Sequence, residues 1–357
     1  MKIKEIGYEY EAPLNRELWQ KCQDLSTNSL FHNAICLRSG RDALKAAARE
    51  YEPTVALLPS LACDSMVLPF KLFNHRVIFY KLQNDFSIDT NDLLEKLSSF
   101  KNNKSILLLY MNYFGNEAMP LKELNKLKEN FSNLIFINDI TQTFFVKEKT
   151  DFIPHYVIAS LRKWIAIPDG GLLWNNIPLR YSSFLNDNRF FNKRLSAQNM
   201  RYEFLENGDL SLKPEFRHIF STVSDIIDES SEIARMSEYS YQLAKKENLD
   251  EISRKRTKNA QVLIKELGGE VSFIQKDANK CNLYVGVLIE DRNRVQAELA
   301  KEGIFSTIIW PLSDEQKKTD DFAKYVEEHM LAIYCDQRYN EDDMKYVASE
   351  IKRIIHG

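Results

Sequence analysis

Six short apolar runs punctuate the first half of the chain: Val55–Leu58, Val77–Tyr80, Ser105–Tyr110, Leu134–Asn138, Tyr156–Ser160 and Gly171–Trp174. Most are continuous rather than alternating, the pattern of strands covered on both faces in a parallel sheet. Helical patterns lie between them. The alanine-rich stretch from Arg41 to Glu50 favours a helix by propensity. Pro120 opens another, with Leu121, Leu124 and Phe131 on one face and Asn130 near its stop. This alternation covers residues 35–175 and predicts a doubly wound α/β domain.

Beyond Trp174 the pattern changes. Residues 175–240 are rich in Asn, Phe, Arg and Ser, show no clean periodicity and read as irregular. A long helix carries Ala260, Leu263, Ile264 and Leu267 on one face and ends at Gly268-Gly269. A strand at Leu283–Ile289, a helix from Asp291 to Gly303, and strands at Ile304–Ile309 and Met330–Tyr334 follow. A last helix aligns Met344, Val347, Ile351 and Ile354. The expected fold is therefore α/β: a large domain over 31–240 with a mainly parallel sheet, and a smaller α+β domain from 1–30 and 241–357.

Composition narrows the function classes. With 44% apolar and 28% charged residues the chain is globular. A net charge of −3 argues against a nucleic-acid footprint. No apolar run approaches the ~18 residues of a membrane span, and the N-terminus shows no apolar leader, so a cytoplasmic protein is expected. Five cysteines, odd in number and scattered, support neither a disulfide framework nor a zinc site, and no metal is expected. Glycine is scarce at 11 residues, so each one marks a place where the backbone needs it.

Three segments could carry chemistry. Lys163 in Ser160-Leu161-Arg162-Lys163-Trp164 follows a predicted strand, the edge at which open parallel sheets bind ligands. A lysine shielded from water can lose its proton and attack a carbonyl, although most lysines are solvated. Asp139, after the run Leu134–Asn138, can pair with a buried cation or serve as a turn residue. Ser39-Gly40-Arg41 precedes the alanine-rich helix, where free N–H groups, a hydroxyl and a guanidinium make either a phosphate cradle or a plain cap. Together, a phosphate cradle, an acid and a lysine on one sheet edge are what pyridoxal phosphate (PLP) requires.

The chain resembles the DegT/DnrJ/EryC1/StrS family of fold-type-I, PLP-dependent sugar aminotransferases. The matching segments run in family order: LRSGRDAL (37–44), LLPSLACDSMVLPF (57–70), NYFG (112–115), DITQTFF (139–145), SLRKW (160–164) and DGG (169–171). WPL (310–312), His329 and CDQRYNEDDM (335–344) resemble the family's tail. The resemblance implies that Lys163 holds PLP as an internal aldimine and moves protons. Asp139 would pair with the pyridine nitrogen and Gln142 would contact the ring near its hydroxyl. Ser39, Gly40 and Ser160 would bind the phosphate, with Arg41 adding charge. Asn112 and Tyr113 follow the run Ser105–Tyr110 and could face the site or serve as turn residues; His329 matches a family position near the substrate or is a structural histidine; and Arg338 reads as a surface arginine before a fork for a donor carboxylate.

Two features depart from the family. Its serine often precedes the lysine by five positions, here by three, and an aromatic ring often stacks on PLP where this chain has Leu61, Ala62 and Cys63. Cys63 could cover the ring instead. The cluster Arg254-Lys255-Arg256 with Lys258 reads as a solvated helix face. The expected activity is transfer of an amino group from a donor such as glutamate to a nucleotide-linked keto sugar for surface polysaccharide or related biosynthesis. A homodimer with interface active sites is implied, with neither nucleic acid nor membrane as partner. The alternatives are another PLP reaction (lyase, dehydratase or decarboxylase) and a non-catalytic sensor.

Overall fold

In the computed structural model, which describes residues 2–12, 31, 33–146, 151–275 and 277–357, every one of the six apolar runs is a strand. Residues 13–30, and Cys22 with them, lie outside the described residues. The first half runs β1 (Ile35–Leu37), α1 (Gly40–Ala48), β2 (Val55–Pro59), α2 (Asp64–Leu72), β3 (Arg76–Tyr80), α3 (Thr90–Ser99), β4 (Ile106–Tyr110), α4 (Leu121–Asn130), β5 (Leu134–Asp139), β6 (Tyr156–Ala159) and β7 (Gly171–Asn175). The seven strands form one sheet in the order β1-β7-β6-β5-β4-β2-β3. From β6 through β3 the pairs are parallel, whereas β7 runs antiparallel to both β6 and β1. Every residue of β2 and β4 is buried, which is why those runs are apolar throughout. Full burial of a side chain such as Leu57, Leu108 or Phe136 contributes about 1.5–3 kcal/mol.

The segment 175–240 is a correction. It holds α5 (Arg189–Asn207), α6 (Leu212–Thr222), α7 (Asp225–Asp228) and the start of α8 (Glu238–Lys246). Periodicity failed on α5 because its inward face carries Arg194, Gln198 and Arg201, all buried. Arg201 pairs with Glu5 at 2.7 Å and Arg194 with Glu9 at 2.6 Å. The buried face of α5 thus mixes these polar side chains with Phe190, Ala197 and Phe204 in an internal seam to the N-terminal segment, and no continuous apolar stripe betrays it.

The remainder runs α9 (Leu249–Leu267), β8 (Ser272–Phe273), β9 (Tyr284–Leu288), α10 (Arg292–Lys301), β10 (Ser306–Thr307), α11 (Asp314–Thr319), α12 (Asp321–His329), β11 (Met330–Tyr334) and α13 (Glu341–His356). Its strands pair antiparallel in the order β10-β11-β9-β8. The strand expected over 304–309 shrinks to Ser306 and Thr307, because the chain leaves the sheet to carry Ile309 and Trp310 toward the first sheet. No helix among the described residues is long and apolar enough to cross a membrane.

Two glycines fix where the first sheet meets α1. A Cβ on Gly171 would lie 2.1 Å from the carbonyl carbon of Ser39, and one on Gly40 3.2 Å from the Cβ of Ser160. Gly170, at φ 151°, donates its N–H to the carbonyl of Arg38 at 2.8 Å. Gly171→Ala should therefore cost about 1–3 kcal/mol, the usual penalty of overpacking. A lowered urea midpoint is the expected result, and an unchanged midpoint contradicts this close approach.

Candidate active site

Adjacent parallel strands end at one edge, and the site is built there. Asp139 is the last residue of β5. Ser160 follows β6 and caps a 3-10 turn, Leu161–Lys163, that carries Lys163 over the strand ends. Thr141 ties the two segments together. Its N–H donates to Asp139 Oδ1 at 2.8 Å, its Oγ1 accepts from Ser160 N–H at 3.0 Å, and its carbonyl accepts from the Trp164 indole at 2.8 Å. Acid and lysine are thereby held by one residue between them.

Facing them is the N-terminus of α1. Ser39 caps it, accepting from Asp42 N–H at 3.1 Å and donating to Asp42 Oδ2 at 2.6 Å. Arg38 clamps the same aspartate through two bonds, of 3.0 and 2.9 Å. The Ser39 hydroxyl is thus committed to the cap, and what this end offers an anion is the first-turn amides of α1, which lack intrahelical partners. Ser160 adds a hydroxyl with no hydrogen bond among the described residues. Arg41 Nη1 donates to both carboxylate oxygens of Asp228 at 2.8 Å, and Lys45 donates to the carbonyls of Ile227 and Ser230. Together they fasten α7 over the cavity, with Ile227 in its wall.

All the cofactor-site candidates line this cavity: Ser39, Gly40, Arg41, Cys63, Asp139, Gln142, Ser160 and Lys163. The Lys163 amine makes no hydrogen bond or ion pair among the described residues. Burial, above all, lowers its pKa; Cys63 and Asp139 oppose that in smaller measure, and the Arg162 charge adds to it. Asp139 is 7% exposed; burial raises its pKa, opposed by its Thr141 hydrogen bonds and the Lys163 charge. Gln142 spends Oε1 on Phe114 N–H at 2.6 Å, leaving its amide nitrogen for the cavity.

The other candidates lie elsewhere. Tyr113 is buried, donates to the Leu61 carbonyl and packs its ring 6.1 Å from Trp310. Asn112 accepts from Ala118 N–H at 3.0 Å and lines a separate pocket with Tyr110 and Asn138. His329 bonds the Tyr325 carbonyl at 2.8 Å and lies 3.5 Å from Glu290, in a surface cleft of the second sheet. Arg338 is spent on structure: it holds Asp336 through bonds of 2.9 and 2.8 Å, reaches Glu11 at 2.9 Å and stacks 4.5 Å from the Tyr10 ring. Its fork was sequence-legible, but its partner is the chain's own aspartate two residues away.

Sequence reasoning missed several residues that converge here. Trp310 lines the lysine cavity and brings an aromatic ring to a site whose family position holds Cys63. A second cavity opens beside the first and shares Gln142, Arg162, Lys163 and Trp310 with it; Glu9, Tyr284 and Tyr334 lie in its wall. The alternation Tyr8-Glu9-Tyr10-Glu11 was the available signal for the N-terminal contribution. Arg256 is a correction: Arg254, Lys255 and Lys258 are exposed, but Arg256 is buried. It donates to Gln337 at 2.8 Å, to the Asn282 and Leu283 carbonyls and to Tyr10, and lies 4.8 Å from the Trp164 ring. Arg256→Gln should strip these acceptors of their donor and cost about 3 kcal/mol or more, read as a fall in the urea midpoint. A change below about 1 kcal/mol contradicts the buttress.

Solved structures share this arrangement of elements along nearly the whole chain. A DegT DnrJ EryC1 StrS aminotransferase from Brucella abortus superposes with a TM-score of 0.66 at 14% identity, over 99% of this chain and 92% of that one. The chain has the DegT/DnrJ/EryC1/StrS aminotransferase fold. Helicobacter pylori PseC, an aminotransferase involved in pseudoaminic acid biosynthesis, has the same fold with a TM-score of 0.65 at 14% identity, over 99% of this chain and all of that one. So does NtdA from Bacillus subtilis, solved with bound cofactor PMP, with a TM-score of 0.65 at 12% identity over 98% and 79%. No protein-family model and no curated protein matches the sequence. The fold-type-I α/β architecture expected from the sequence is the one found.

Proposed function

We propose that this chain is a PLP-dependent aminotransferase that takes an amino group from an amino-acid donor, glutamate first among them, and passes it to a keto sugar carried on a nucleotide. One observation carries the reading. Among the described residues the Lys163 amine has no partner and the buried Asp139 carboxylate bonds no cation, and both share a cavity with the N-terminus of a helix. A solitary buried carboxylate is costly, and a protonated ring nitrogen would relieve that cost. The residues therefore fit pyridoxal phosphate. Lys163 would hold it, Asp139 would pair with its ring nitrogen, Gln142 would meet its hydroxyl, and the first turn of α1 with Ser160 would take its phosphate. Arg41 and Cys63 complete the wall.

Bound there, the cofactor supplies an electron sink for a carbanion. The chain's own residues do the rest. Lys163, with its pKa lowered by burial, accepts and returns a proton. Asp139 fixes charge at the far side of the site, and Thr141 keeps acid and lysine in register. The neighbouring structures that are sugar aminotransferases support the keto-sugar acceptor and, by extension, a place in surface polysaccharide or related biosynthesis. Free Cys36, Cys63, Cys281 and Cys335 support a reducing cytoplasm. Exposed Tyr181, Leu185 and Leu210 support a homodimer formed through the segment 175–240.

Visible absorbance tests the reading. Purified protein loaded with PLP should gain a band that glutamate bleaches toward the pyridoxamine spectrum while 2-oxoglutarate appears. A band that glutamate and other amino acids leave unchanged overturns amino transfer. Release of ammonia or carbon dioxide identifies a lyase or decarboxylase instead.

A further inference from the structure

One wall of the lysine cavity is held unlike the others. The cavity measures about 60 Å³, against about 220 Å³ for the one beside it. Pockets that hold a small molecule measure roughly 300–1,000 Å³, so a ring with its phosphate needs more room at the α1 end than these walls leave. Much of the wall is fixed. Asp139, Ile158 and Ser160 stand on or beside β5 and β6 in the middle of the sheet, and α1 is pinned where Gly40 and Gly171 meet their neighbours. Ile227, on α7, stands outside that frame. It is buried with Val223 and Phe190 in a small satellite cluster apart from the main core. The outer side of the segment, with Asp225, Glu229 and Glu232, is exposed and charged.

The hydrogen bonds that fasten this segment to α1 come, among the described residues, from two cations one helical turn apart. Arg41 lines the cavity. Its Nη1 donates to both oxygens of Asp228 at 2.8 Å and to the Ser224 carbonyl at 3.4 Å, and its Nη2 donates to the Ser224 hydroxyl at 3.2 Å. Arg41 and Asp228 remain 17% and 26% exposed, so water competes for the pair and its net contribution is small. Lys45 lies behind. It is 1% exposed, stands outside the cavity wall and donates to the Ile227 and Ser230 carbonyls. A weak tie on the cavity side and a buried tie behind it make a latch and a pivot, in a segment with little apolar anchorage of its own. We infer that residues 224–230 are a lid over the lysine cavity, latched by Arg41 and Asp228, that lifts to admit and release the cofactor. The inference goes beyond the aminotransferase reading and rests on its cofactor.

The test uses pyridoxamine phosphate, whose amine forms no bond to Lys163, with wild type and Asp228→Asn. Stopped-flow tryptophan fluorescence, with Trp310 in the cavity wall as a reporter, gives association and dissociation rates. Hydrogen exchange reads the amides of 224–230. A lid latched in both the free and the loaded protein predicts that Asp228→Asn raises both rates by one common factor of about 2- to 5-fold, the shift expected on losing one partly exposed ion pair. Affinity then stays within about 2-fold of wild type. The amides of 224–230 should exchange faster by a similar factor, and those of α5 at the wild-type rate. Association that quickens alone reports steering by the lost charge, and association that quickens while dissociation slows reports Asp228 competing with the phosphate for Arg41. Either result overturns the lid, as do binding rates that stay unchanged or exchange at 224–230 that stays at the wild-type rate. A wild type that binds no pyridoxamine phosphate overturns the cofactor reading, and the lid with it.

Discussion

Lys163→Ala abolishes amino transfer, with an expected loss of roughly 10⁵-fold, the scale seen when a covalent catalyst's nucleophile is removed. The protein should stay folded. The amine makes no hydrogen bond or ion pair among the described residues, so its loss strands no partner. Removing a partly desolvated charge should leave stability within about 1 kcal/mol of wild type. The same variant should still bind pyridoxal phosphate, because the first turn of α1, Ser160, Gln142 and Asp139 remain. Ultrafiltration would find the cofactor retained yet not fixed by borohydride. Residual transfer above about a hundredth of the wild-type rate contradicts the role given to Lys163.

Asp139→Asn should have the second-largest effect, and its signature lies in two opposite signs. Asparagine keeps an oxygen to accept from Thr141 N–H and loses the charge. Loss of one preorganised electrostatic group predicts a fall in kcat of about 10²- to 10³-fold. Stability without cofactor should move the other way. Burial raises the Asp139 pKa in the fold. The folded state therefore binds its proton more tightly than the unfolded chain does, and the carboxylate opposes folding once pH exceeds the ordinary aspartate value. Cofactor-free Asp139→Asn should melt above wild type at neutral pH, and the gap should close as pH falls below the ordinary range. With pyridoxal phosphate bound, the order should reverse. Equal melting behaviour with and without cofactor contradicts a cation partner for Asp139.

Much of this was legible in the residues, for identifiable reasons. The strands from β2 to β6 are covered on both faces, so burial writes itself as unbroken apolar runs. Lys163, Asp139 and Ser39-Gly40 each sit beside a strand end or a helix start, where local sequence carries positional meaning. The helix α5 was illegible because Arg194, Gln198 and Arg201 are buried against the N-terminal segment, and buried ion pairs read as surface. Arg256 misled in the same way: three exposed basic neighbours surround the one that turns inward. Arg338 and His329 carried suitable chemistry and were given substrate roles, but only the tertiary structure shows Asp336 and Glu11 occupying one and a distant cleft holding the other. The second cavity draws Glu9, Arg162, Tyr284 and Trp310 from separate stretches of chain, and no local pattern announces that convergence.

One measurement bears most directly on the central claim. The protein is loaded with pyridoxal phosphate, reduced with borohydride, digested, and the labelled peptide is identified by mass spectrometry. The account predicts one label, on Lys163. The pointed alternative is Lys45, which burial, above all, lowers to a pKa of about 8 but which the carbonyls of Ile227 and Ser230 hold fast. A label on Lys45, scattered labels on surface lysines, or none at all would contradict the site described here.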